Sequence, residues 1–96
     1  MNSENFERSA MEDRLNKELH AILFPTRDRL NLTQSAMAKR YFMAKNTYWE
    51  LETYAEHGFG LLTAILLLHD QDDPKQVLDD LYDKMIEALA EVTILI

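Results

Sequence analysis

Glycine occurs only at positions 58 and 60, and proline only at 25 and 74. A chain so poor in turn-formers cannot make the many tight reversals of a sheet, and no stretch of any length alternates apolar with polar residues. Both facts point to an all-α fold of about five helices. The 96 residues suit one small domain, residues 1–96, whose core is adequate but marginal.

Residues 1–8 read as a frayed start. Ser9 and Glu12 have capping-box spacing, and Met11, Leu15, Leu19, Ile22 and Leu23 then form one apolar stripe. That predicts an N-terminal helix over 9–24. Pro25 has no amide to give and biases Phe24 away from helical angles, so the helix is expected to end or kink there. A short helical turn from Pro25 to Leu30 should follow.

Leu32 to Glu52 carries the spacing of two short helices joined by a tight turn. Leu32, Met37, Ala38 and Tyr41 can share one helical face, while Met43, Tyr48 and Leu51 can cover a second helix that crosses the first. Thr33 is placed to cap the first helix. Ala36 and Ala38 are small enough to let the second approach closely. The pattern is a helix-turn-helix.

Leu61 to Leu68 is apolar nearly all round, which predicts a fourth helix buried on most sides. Asp73 and Pro74 have the character of an N-cap followed by proline at the first helical position, opening a last helix over 74–93. Within it Leu78, Leu81, Met85, Ala88, Val92 and Leu95 follow a heptad seam. Val77, Tyr82, Ile86 and Leu89 add a second apolar edge. One edge is expected to pack on the fourth helix and the other on a second copy of the chain. Leu78, Leu81, Met85, Val92 and Leu95 are the expected dimerisation residues, with the apolar end Val92 to Ile96 buried in the homodimer.

The stretch Leu32-Thr33-Gln34, Met37-Ala38, Met43-Ala44, Asn46-Thr47-Tyr48 and Leu51-Glu52 resembles, in register and without a gap, the signature of the Cro/phage-repressor (XRE) helix-turn-helix family. The resemblance covers 21 residues and extends more loosely from about 20 to 70, so that 25–69 would be a repressor-like core. It implies double-stranded DNA as partner. Lys45, Asn46 and Glu50 would read bases: a lysine donates to guanine O6/N7, an asparagine pairs with adenine, and a glutamate accepts from a cytosine amine. Thr33 and Gln34 would hold a phosphate, with Lys39 and Arg40 as further phosphate cations. Trp49 would stack on sugar, touch a thymine methyl, or lie over the domain surface. Arg27 and Glu52 would form a partly buried ion pair. Phe42 stands where the family carries its turn glycine, so either the turn is built differently or packing holds the ring. The loop after Glu52 offers Glu56 and His57 where relatives commonly offer basic residues.

Net charge is −7, the wrong sign for a typical nucleic-acid binder. Its distribution is uneven. Arg14 to Trp49 holds seven basic and two acidic residues; Asp70 to Glu91 holds eight acidic and two basic. Screening confines the field of exposed charges to about 8–10 Å, so a basic half can still meet a phosphate backbone. The acidic C-terminal helix could equally take a protein partner, as in an antitoxin-like module that keeps the fold.

Catalysis has little support. His20, His57 and His69 are scattered, there is no cysteine, and no glycine-rich phosphate loop or serine-histidine arrangement exists. No cofactor, metal or enzymatic activity is expected. No secretion signal is visible and no apolar run nears the ~20 residues of a membrane span; a soluble, cytoplasmic protein is expected.

Overall fold

A computed structural model describes the backbone of residues 3–54 and 57–95 and the side chains of 8–54 and 57–91. Among the described residues the fold has five α-helices: α1 (Ser3–Leu30), α2 (Gln34–Arg40), α3 (Lys45–Thr53), α4 (Leu61–His69) and α5 (Pro74–Leu95). The all-α class and the helix number match the sequence expectation. Among the described residues no helix is long and apolar enough to cross a membrane.

α1 departs from expectation at both ends. It begins at Ser3, because residues 3–8 contain no glycine or proline to stop it, and Glu12 takes Arg8 one turn back (2.8 Å) instead of closing a cap with Ser9. It also runs through Pro25 to Leu30. A proline inside a helix costs about 3 kcal/mol, so the flanking turns must be held by packing. They are: Leu23 and Thr26 are buried, and Arg27 is anchored to α3. Thr26 stays satisfied in the apolar interior, its hydroxyl donating to the Ile22 carbonyl (2.6 Å) and accepting from the Gln71 amide (2.8 Å).

Two helices end in the same way. At Asn31 (φ 55°) and Phe42 (φ 60°) the backbone turns left-handed. In each case the next amide reaches back five residues, from Leu32 to the Arg27 carbonyl (3.2 Å) and from Met43 to the Ala38 carbonyl (3.0 Å). These are Schellman ends. Asn tolerates this conformation; a bulky aromatic does so at a cost of roughly 1–3 kcal/mol. Nor does packing hold Phe42, whose ring is 77% exposed. The turn has the geometry of the glycine version, built with a residue that opposes it.

The core is one cluster shared by all five helices. Leu19 and Leu23 come from α1, Met37 and Ala38 from α2, Tyr48 and Leu51 from α3, Leu67 from α4 and Leu81 from α5, with Tyr41 from the turn. α2 and α3 pack closely on one another, and α5 lies against α1 and α4.

Two burial expectations are corrected here. α4 is not enclosed: Leu67 is fully buried, but Leu61, Leu62 and Ile65 are exposed, because the helix meets neighbours on one side only. Leu81 is not free for a partner chain, since it and Ala88 face the protomer's own interior. The side chains of Val92 and Leu95, and the apolar end that includes Ile96, lie outside the described residues.

Candidate nucleic-acid interface

The two-helix corner begins at Thr33, whose hydroxyl accepts from the Ala36 amide (3.1 Å) and caps α2. Met37, Ala38 and Tyr41 from the first half bury against Tyr48 and Leu51 from the second, the residues that helical spacing assigned to the inner faces. With Tyr48 and Leu51 turned inward, the opposite side of α3 is forced outward. Lys45, Asn46, Trp49 and Glu50 are all exposed along it. Trp49 keeps 43% exposure while its ring meets Tyr54 edge-on, centroids 5.7 Å apart.

An ion pair ties the end of α3 to α1. Arg27 donates through Nε to Glu52 Oε2 (2.9 Å) and through Nη2 to Oε1 (2.7 Å), a two-pronged contact, while Nη1 reaches the Leu32 carbonyl (3.1 Å). Both side chains are largely buried. Burial is the largest single influence on the Glu52 carboxyl and works to raise its pKa, but the hydrogen bonds and positive charge of Arg27, together with the other polar side chains around it, leave the carboxyl below its usual value. Gln34 Nε2 lies 3.4 Å from the same carboxylate, so the side chain expected on a phosphate leans inward. Tyr48 sits beneath the pair with its hydroxyl buried and without a hydrogen bond. Burial above all, and the Glu52 carboxylate beside it, push its pKa up.

A second polar knot centres on Asp70, which along the sequence reads as part of an acidic connector. Its side chain is almost completely buried and accepts from Arg40 through both oxygens and from the Tyr41 hydroxyl (2.9 Å). Arg40 holds the Asp70 carboxyl below its usual range. Arg29 donates to the Asp70 carbonyl and to Asp72 Oδ1 (3.1 Å). One signal was present: Asp70 ends α4, where the helix dipole disfavours an anion unless a cation stands nearby.

This knot changes the charge picture. Among the seven basic residues from Arg14 to Trp49, all four arginines are paired: Arg14 with Glu18, Arg27 with Glu52, Arg29 with Asp72 and Arg40 with Asp70. The three lysines, Lys17, Lys39 and Lys45, are exposed and none is in an ion pair among the described residues. Of the cations expected on phosphate, Lys39 is thus available and Arg40 holds the fold together. In the following loop, Glu56 lies outside the described residues; the His57 carbonyl meets the His20 ring (3.0 Å) and the Phe59 amide donates to Asn16 (3.2 Å), tying the loop to α1.

No family model, curated protein or solved structure matches this chain.

Proposed function

We propose that this protein is a sequence-specific regulator of transcription that binds a short operator in double-stranded DNA as a homodimer. The observation that carries the reading is the outward strip of α3. Lys45, Asn46 and Glu50 stand exposed together on a short helix, backed by buried tyrosines and clamped to α1 by Arg27 and Glu52. A helix presented in this way fits the major groove, where lysine, asparagine and glutamate side chains discriminate bases. The pattern shared with the Cro/repressor signature supports the same reading.

Selection of bound duplexes from a random pool tests it. The wild type should enrich a roughly palindromic site, and Lys45→Ala and Asn46→Ala should each lose about 1–3 kcal/mol of discrimination at their own base positions. Unchanged selection in both variants would remove the assigned reading face. Counting the positive charges of Lys39 on phosphate and of Lys45 in the groove, a dimer displaces the counterions of about four phosphates, so log affinity should fall with log salt at a slope of roughly −3 to −4. That is shallower than the −5 to −7 of a dimer with six to eight phosphate contacts.

The pairing of Arg29 and Arg40 with Asp72 and Asp70 favours a second reading, a protein-interaction module of antitoxin-like character that uses the acidic C-terminal helix. A chain that enriches no duplex at all would move the assignment there.

A further inference from the structure

On α4 and α5 the fold leaves a face that water should not see. Leu61 is 79% exposed and Tyr82 64%, and Ile65, Leu78, Ile86 and Leu89 are about half exposed beside them. Between these helices runs a groove of about 300 Å³, its floor formed by Leu15 and Leu19 of α1 and its lining apolar throughout apart from the Tyr82 hydroxyl. Covering Leu61, Ile65, Leu78, Tyr82, Ile86 and Leu89 together would remove several hundred Å² from water, approaching the ~800 Å² that one partner contributes to an interface of standard size. Contiguous apolar patches on soluble monomers rarely exceed a few hundred Å².

We infer that this face is the contact between two copies of the chain, made by the exposed seam of α5 and the groove beside it. The inference takes from the proposed function only the need for two copies; the face itself is argued from its surface. The seam is Leu78, Tyr82, Met85 and Leu89, spaced four, three and four apart. That is a heptad register, displaced from the 78-81-85-88 spacing because Leu81 and Ala88 are consumed by the protomer's own core. No charged residue lies in the seam between Leu78 and Leu89, and a seam related to its copy by a two-fold axis is self-complementary.

The rim charge also favours a second copy over a strongly charged partner. Lys75 heads the seam and Asp79 and Asp83 flank it, all three exposed and unpaired among the described residues. Both signs are present, so nothing there selects a highly basic protein. Lys45 and Asn46 are on α3 and take no part in this face.

Sedimentation equilibrium at rising concentration, without DNA, tests the inference. The expected mass tends to twice the 11.2 kDa of one chain, and the association holds or tightens as salt rises, as apolar contacts do. Tyr82→Glu should weaken it at least about tenfold. Leu61→Gln, on the other helix, should also weaken it and covers the case in which the α5 variant loses helix content by circular dichroism. Trp49→Ala should dimerise like the wild type. A mass that stays at 11.2 kDa overturns the inference and assigns the face to a different protein. So does a dimer indifferent to both substitutions, or one that falls apart with salt. Duplex binding by a chain that stays monomeric would overturn this interface and leave α3 as the reading helix; a salt-tolerant dimer that binds no duplex would do the reverse.

Discussion

The corner side of the molecule and the α4–α5 side invert the usual relation between residue type and burial. Around the corner, charged groups go inside: Asp70 is 9% exposed, and Arg27 and Glu52 are almost covered. On the α4–α5 side, leucines go outside, Leu61 at 79%. Buried ion pairs add little net stability, since desolvation offsets most of their attraction, but breaking one leaves an uncompensated charge and is costly. They therefore fix an arrangement, here the position of α3 on α1 and of the α4 end on α2. Exposed leucines fix nothing within the chain and lower the free energy only when another surface covers them. One side is finished by the fold; the other is left open for the association inferred above.

The sharpest way to break this comparison lies within α4, where Leu67 and Ile65 are two residues apart. Leu67→Ala should cost about 3 kcal/mol in denaturant unfolding and Ile65→Ala well under 1 kcal/mol at concentrations where the chain is monomeric. Equal costs would show that the open face is part of the protomer's core. Next, Asp70→Ala should cost about 2–3 kcal/mol, because it strands the Arg40 guanidinium and the Tyr41 hydroxyl; the half-exposed arginine keeps this below the full price of a sealed pair.

Acid should reach the corner by the same route. Asp70 and Glu52 both titrate below their unfolded values. Their contribution is complete above the usual carboxylate range near pH 4 and is lost as pH falls through the lowered folded values. Thermal unfolding followed from pH 6 downward should show that loss, and it should be reduced in Asp70→Asn. Phe42→Gly comes next, an expected gain of about 1 kcal/mol from relief of the left-handed strain, or several degrees in Tm for a domain of this size. A loss instead would mean that the exposed ring has a contact that offsets the strain. Tyr48→Phe should change stability by about 0.5 kcal/mol or less, with any shift being a gain, since its hydroxyl is buried without a partner.

Most of the corner was legible in the order of residues. Thr33 caps, Met37, Ala38, Tyr41, Tyr48 and Leu51 turn inward, and Arg27 finds Glu52 across 25 residues as the family pattern implied. Phe42 adopts the glycine conformation although nothing in its own chemistry asks for it; the neighbouring helix faces impose it. The ends of α1 were less legible. Pro25 carries a strong local stop signal, and packing on both sides of it was needed to overrule that signal. Asp70 at the end of α4 signalled only that some cation should stand nearby; that the cation is Arg40, 30 residues away, could not be read along the chain, where each looks like an ordinary surface charge.

The sequence by itself determined the helical segments, apart from the two ends of α1, and which faces of α2 and α3 turn inward, because helical period and capping are local properties that neighbours a few residues away enforce. Only the tertiary structure decided which apolar edge of α4 and α5 stays open and which of the basic residues remain unpaired. Burial and ion pairing depend on distances between segments far apart in the chain, and those distances exist only after the helices have packed.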